Sequence, residues 1–125
     1  MKGRENIGTM TQEMLIADAT FPLDVVTVSI SETEDGAMKL KRGSVLAADD
    51  STGKCRLMSG ADGATAAYVL AEPVETSDTE EVVGVAYQTG KFIRQSLIVA
   101  DGYELSVKDI KDLRDAGILV ESAMM

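Results

Sequence analysis

Val26, Val28 and Ile30 alternate with Thr27, Ser29 and Ser31. A period of two with one apolar face marks a half-buried β-strand. Short segments of the same kind recur along the chain. Val45–Ala47, Lys54–Met58 and Ala67–Ala71 each predict a short strand. Val82–Tyr87 predicts a buried strand with Thr89-Gly90 as its turn, and Lys91–Val99 a longer strand closed by Asp101-Gly102. Polar segments separate them: Glu32–Gly36, which ends in Asp-Gly, Asp49–Gly53, Gly60–Gly63 and the acidic connection Glu75–Glu81. Asp and Gly mark turns because Asp bonds its local backbone and Gly adopts positive φ.

The period changes to helical only near the end. Val107, Ile110 and Leu113 recur at helical spacing, with Lys108, Lys111 and Asp112 on the other faces. Ser106 followed by Asp109 is a capping-box arrangement, and Gly117 supplies the left-handed position past the last turn. A helix is therefore expected at about 107–116, followed by Ile118–Val120 as a terminal strand or extended tail. Residues 1–12 are polar and without period. The chain thus divides into a flexible N-terminal arm, residues 1–16, and one mainly β domain of α+β type, residues 17–125. Within that first stretch Glu13–Ala17 is a short apolar patch, and Phe21-Pro22 marks a turn or extended entry.

Composition narrows the chemistry. Asp plus Glu number 21 against 12 Lys plus Arg, a net charge of −9. Such a chain lacks the cationic groove that releases counterions from phosphates, so nucleic acid is excluded as a partner, and so is attraction to an anionic membrane. No run approaches the roughly 18 apolar residues of a membrane helix. There is no His, the commonest general base and transition-metal ligand. Cys55 is the single cysteine, which leaves no intrachain disulfide and no thiolate zinc site. It reads as a buried structural residue, since Lys54 and Arg56 beside it point to the opposite face of a strand. Asp49, Asp50 and Asp62 are oxygen donors for Mg²⁺ or Ca²⁺ in principle, but their setting is that of turn residues. Glu72, Glu75, Asp78, Glu80 and Glu81 read as a solvated acidic surface. The expectation is a protein with no catalytic residues, no cofactor and no metal. Lys39, Lys41 and Arg42 form a basic cluster, either a charged strand edge that blocks misassembly or an ion-pairing patch for an acidic neighbour.

Seven fragments, in order, carry a resemblance. Leu40-Lys41-Arg42-Gly43-Ser44-Val45-Leu46 resembles the "LKRGTVL" element of lambda-type bacteriophage head decoration proteins. Ala17–Ile30, with Phe21-Pro22, resembles the opening segment of that family, and Thr52-Gly53-Lys54 its "TGKY" turn with Cys55 in place of the aromatic. Gly60–Ala64 resembles "ATDG", and Val69–Val74 resembles "ILAEDVD" with Pro73 in place of an acidic residue. Tyr87–Phe92 resembles "YLTGEF", and Leu113–Ile118 resembles "LRALGI". The resemblance covers roughly residues 15 to 120, most of the chain, and leaves residues 1–12 and the Met124-Met125 tail unmatched.

The resemblance implies a compact, β-tulip-like fold and a structural role on the virion. It implies a homotrimer on the outer surface of an expanded capsid, made in the bacterial host cytoplasm, with the major capsid protein as partner. It also implies an N-terminal arm that orders against the coat. Met10, Met14, Leu15, Ile16 and Phe21 are the candidate residues for contact with the capsid or a neighbouring subunit, core or edge packing being the alternative for each and an equal one for Leu15 and Phe21. Lys41 and Arg42 are candidate ion-pairing residues. Two other functions fit less of the chain: a virion-surface module that binds glycans, and a trimeric Mg²⁺-dependent nucleotide hydrolase around Asp101-Gly102-Tyr103.

Overall fold

A computed structural model describes residues 15–17, 22–33, 36–61 and 63–121. Among these residues stand eight strands and one α-helix: β1 (Asp24–Ile30), β2 (Lys39–Leu40), β3 (Val45–Asp49), β4 (Cys55–Leu57), β5 (Ala64–Leu70), β6 (Val74–Glu75), β7 (Val82–Ile93), α1 (Val107–Ala116) and β8 (Ile118–Glu121). The order β1-β4-β3-β5-β7 closes on itself because β7 also pairs with β1. The result is a small five-stranded barrel. Its seams are antiparallel except at β1–β4, a single parallel pair at Ile30 and Cys55. The β2–β6 ribbon is separate, with Lys39 opposite Glu75 and Leu40 opposite Val74.

The alternation seen in β1 gives the barrel its inside. Val28, Ile30, Leu40, Leu46, Cys55, Leu70 and Ala86 form one buried cluster, with Val26 against it. A second cluster lies outside the barrel wall, beneath α1. It holds Leu15, Val45, Ala47, Met58, Ala66, Val69, Phe92, Leu105, Leu113 and Ile118. The central strands β3 and β5 are therefore buried on both faces, as the successive burial of Val45, Leu46 and Ala47 records. Ala67 is the extra residue of a bulge on β5, since Leu46 pairs with Tyr68 and Ala47 with Ala66. Space inside is tight. A Cβ on Gly84 would lie 2.7 Å from the Ile30 Cδ1, so this wall position accepts only glycine without movement of Ile30.

Two expectations need correction. Thr89-Gly90 is not a turn: β7 runs unbroken through it for 12 residues. Gly90 lies at φ 159°, close to extended, and is needed for closeness rather than for turning, since a Cβ there would sit 2.7 Å from the Phe92 ring and 2.8 Å from Leu23. Nor is Lys91–Val99 one strand. It ends at Ile93 in a 3₁₀ turn, Arg94–Ser96. The turn redirects the chain so that Ile98 pairs with Ser44, its N–H donating to the Gly43 carbonyl and its carbonyl accepting from Val45 N–H. The Arg94 guanidinium holds the corner by donating to the Leu105 carbonyl at 3.0 Å.

The helix spans the residues expected from sequence, with Leu113 buried, but Val107 at its start is 87% exposed and Asp109 is buried in its place by the cap. Ser106 accepts from the Asp109 N–H at 3.1 Å, and the Asp109 carboxylate accepts from the Ser106 N–H at 3.0 Å, a complete capping box. Gly117 ends the helix at φ 114°. Its N–H bonds back to the Arg114 carbonyl, and the chain passes directly into β8, parallel to the outer end of β7. The Tyr103 hydroxyl also donates to the Asp109 carboxylate, so one carboxylate ties the incoming loop to the first helical turn.

Because that carboxylate caps the helix through a mutual pair, replacing Ser106 with Ala leaves the Asp109 N–H without its acceptor. Ser106→Ala is expected to lower stability by about 1 kcal/mol. Urea unfolding of the wild type and the variant checks this, with a shifted midpoint and an unchanged slope as the expected outcome.

Candidate docking surface

The outer end of β7 has strands on both sides. β8 pairs with Gly90–Ile93 on one side. On the other, Ile16 pairs with Phe92 in antiparallel sense. The Ala17 N–H donates to the Lys91 carbonyl, and the Ile93 N–H to the Leu15 carbonyl, both at 2.8 Å. Leu15–Ala17 is thus the outermost strand-like segment of the sheet, and the chain before it is rooted there. Leu15 itself is 4% exposed and belongs to the cluster beneath α1. Its place is the core, the alternative given for it from sequence. Ile16 is partly buried against the same cluster.

Beside Leu15 stands the turn that carries Lys41 and Arg42. The Ser44 N–H and hydroxyl both donate to the Lys41 carbonyl, at 3.1 and 2.7 Å. Gly43 takes φ 98°, the position that such a turn reserves for glycine. A Cβ on Gly43 would meet the Ser96 carbonyl at 3.1 Å and the Leu15 side chain at 3.4 Å. The turn and the root of the N-terminal segment are therefore in contact range. Lys41 is exposed. Arg42 turns inward: one guanidinium nitrogen donates to the Tyr87 hydroxyl at 3.1 Å, and its Cζ lies 5.9 Å from that ring's centroid. Tyr87 in turn packs on Phe92, centroids 5.2 Å apart, and Phe92 is the pairing partner of Ile16.

Four of the seven residues expected at a partner contact, Leu15, Ile16, Lys41 and Arg42, are therefore brought to one corner of the domain. Met10, Met14 and Phe21 lie outside the described residues. The sequence reading passed over Tyr87 and Phe92, the aromatic pair that holds this corner together. Their signal was the pair of aromatics flanking Gly90, hidden by reading Thr89-Gly90 as a turn.

The other candidate chemistries separate in space. The Asp49 carboxylate accepts from the Ser51 hydroxyl and from the N–H groups of Ser51 and Thr52, at 2.8–2.9 Å. Those bonds lower its pKa to about 2. Asp50 accepts from the Thr65 hydroxyl at 2.8 Å. Both are turn-forming carboxylates, and Asp62 lies outside the described residues. Among the described residues no group of three or more carboxylate or thiol side chains is placed to hold a metal ion. No helix among them is long and apolar enough to cross a membrane. Within the acidic stretch, Glu81 pairs with Lys54 at 2.5 Å and accepts from the Ser29 hydroxyl at 2.6 Å, bridging β1 to the approach of β4. The Lys54 ammonium and the Ser29 hydroxyl draw its pKa down. Lys39 faces Glu75 across the β2–β6 ribbon, so it is paired within the chain as a register neighbour. Tyr103, the residue nearest a nucleotide-hydrolase motif, is engaged with Asp109. Of the aromatics a glycan would stack on, Phe92 is fully buried and Tyr87 is packed against it.

A family profile described as Bacteriophage lambda head decoration protein D matches residues 6–118. The match takes in the barrel, the helix and the corner just described, and the chain belongs to that family of structural phage head proteins. No curated protein matches the chain.

Cys55, which stands in the barrel interior at 1% exposure, has its thiol pushed up to about 11 by burial. It is therefore expected to stay unmodified by a thiol-specific disulfide reagent at pH 8 in the native protein, and to react stoichiometrically once the protein is unfolded in urea. Rapid labelling of the native protein would show that the barrel opens at the β1–β4 seam.

Proposed function

We propose that this member of the lambda head decoration family binds the outer face of an expanded phage capsid as a homotrimer and braces it against the outward pressure of packaged DNA. The major capsid protein is its partner, and the virion exterior its working location after synthesis in the host cytoplasm. Family membership supports the virion role. The observation that carries the rest is the root at Leu15–Ala17, where backbone hydrogen bonds to β7 and the buried Leu15 side chain fix the start of the N-terminal segment to the rigid body.

The physics of bracing requires such a root. A force on the N-terminal segment reaches the barrel through Leu15–Ala17, and β7 distributes it to β8 and to the barrel wall. A segment that orders on docking loses entropy but spans a large surface. Three copies joined together offset that loss, since the second and third contacts form at high effective concentration. Lys41, exposed beside the root, adds a positive charge on an otherwise acidic protein, suited to an acidic strip of coat protein. Arg42 contributes mainly by holding the turn against Tyr87. Asp49, Glu81, Asp109 and Tyr103 are engaged in a turn, an ion pair and the helix cap, and bracing needs no catalytic side chain.

The test is a mixture of purified protein with expanded, undecorated heads. The full chain is expected to bind to saturation and raise the temperature at which heads rupture. A chain lacking residues 1–14, which keeps the Leu15–Ala17 pairing, is expected to melt as the full chain does and to lose head binding by at least about a hundredfold. Saturation of the heads by the shortened chain would overturn the role given to the N-terminal segment. Failure of the full chain to bind or to delay rupture would overturn the function.

A further inference from the structure

The barrel is closed unevenly. β1 is paired with β7 along its whole length, from Asp24 to Ile30. β3 is paired with β4 on one side and with β5 on the other. The β5–β7 seam is short, but Val69 and Leu70 beside it are buried in the two clusters, one on each face. The β1–β4 seam has one register pair, Ile30 with Cys55, and the Ser31 N–H donates to the Cys55 carbonyl at 2.9 Å. Its inner face is apolar, since Ile30 and Cys55 belong to the barrel cluster. Its outer face is polar. Ser29, Ser31, Lys54 and Arg56, the sequence neighbours of that pair, are exposed or half-buried. An ionic bridge crosses this outer face. Lys54, next to Cys55, meets Glu81 at 2.5 Å, and Glu81 accepts from the Ser29 hydroxyl of β1 at 2.6 Å. Glu81 immediately precedes Val82, the β7 partner of Ile30. One carboxylate thus joins the adjacent ends of three strands.

We propose that the β1–β4 seam is a gate in the barrel wall and that Lys54, Glu81 and Ser29 form its latch. Opening separates Ile30 from Cys55 while the β1–β7, β3–β5 and β5–β7 ladders stay paired. It gives the buried Cys55 thiol a route to solvent that does not require the domain to unfold. Local openings begin where the fewest backbone bonds and buried apolar contacts are broken, and a ladder one pair long is such a place. The latch stands in water, so its strength is modest. It governs how often the seam opens rather than whether the fold survives. Glu32 and Asp49 also favour the Lys54 charge, so Glu81→Gln weakens the latch and Lys54→Met removes it. The Ser31 hydroxyl, 3.3 Å from the Cys55 carbonyl, is a second and weaker tie. The closed latch keeps Cys55 inert on the time scale of ordinary labelling, and a broken latch makes it reactive in a folded protein. The gate is a property of the free domain, independent of head binding.

The test measures Cys55 labelling by a thiol-specific disulfide reagent at pH 8, in urea concentrations below the unfolding transition. Ser29→Ala, Glu81→Gln and Lys54→Met are compared with the wild type. Asp112→Asn, which breaks the Lys108–Asp112 pair on α1, is the control. Urea unfolding gives the global stability of each protein. The three latch variants are expected to label at least about threefold faster than the wild type after correction for any change in global stability. Their rates should be nearly flat in urea, because a local opening exposes little surface. Asp112→Asn should match the wild type. The double variant Lys54→Met/Glu81→Gln should fall short of the product of the two single effects, since both act on one bridge. Amide exchange on the wild type gives a readout that needs no substitution. The Ser31 N–H, bonded across the seam, is expected to exchange with a much smaller urea dependence than the Ala71 N–H, bonded to the Val85 carbonyl beside the β5–β7 seam. Labelling that follows the urea dependence of global unfolding in every variant would overturn the gate, as would equal urea slopes at Ser31 and Ala71. Equal acceleration by Asp112→Asn, or fully multiplicative effects in the double variant, would overturn the latch.

Discussion

A strand has two backbone edges, and the polar groups of each need partners wherever they are buried. In this fold the demand is greatest for β7, whose 12 residues outrun every other strand. Over Val82–Thr89 it is flanked by β1, with β5 on the other side at Tyr87 and Ala86. Over Gly90–Ile93 it is flanked by β8 and by Leu15–Ala17. The first half closes a barrel. The second half leaves the barrel and builds a small outer sheet. Gly90 lies at the changeover, where the Phe92 ring and Leu23 come too close for a side chain. Barrel, helix and N-terminal root are thus mechanically one body because they share this strand.

That division of β7 explains the two cores. The barrel interior is small and is filled by aliphatic side chains and Cys55. Among the described residues the one fully buried ring, Phe92, sits instead in the outer cluster beneath α1 at 0% exposure. The absence of Trp from the chain accords with both sites. The outer cluster also anchors the corner where Leu15, Ile16 and the Lys41–Arg42 turn meet, since Leu15 and Phe92 belong to it and Tyr87 and Ile16 pack on it. Stability of the domain and stiffness of the corner therefore draw on the same contacts.

Acidity shapes the surface in a complementary way. Several carboxylates are held by local partners: Asp49 by its own turn, Asp109 by the helix cap, Glu81 by Lys54. At Asp109 burial works against the charged form, but the bonds from Ser106 and Tyr103 outweigh it and the pKa is lowered. These groups contribute stability that is complete above the ordinary carboxylate pKa and is lost as pH falls through their lowered values. The acidic excess that remains gives the chain its net charge of −9, carried by carboxylates that favour a hydrated surface.

The alternating pattern of β1, the Asp- and Gly-rich turns and the capped helix at 107–116 were all legible in the sequence, because each is set by interactions within a few residues. The family could be read too, from short fragments that keep their order. The inert role of Cys55 followed from alternation alone. Thr89-Gly90 was misread because glycine serves two purposes that look alike in one dimension, and only the ring of Phe92 on the same strand, with Leu23 far away in sequence, shows which applies. The helix's neighbours, the closure of β1 on β7 and the meeting of Leu15, Arg42, Tyr87 and Phe92 could not be read from the chain. They depend on pairings between residues tens of positions apart, for which the local pattern supplies an apolar face but no address. Local chemistry determined which segments become strands and helix, and long-range packing decided which edge each strand takes and where Leu15, Arg42, Tyr87 and Phe92 meet.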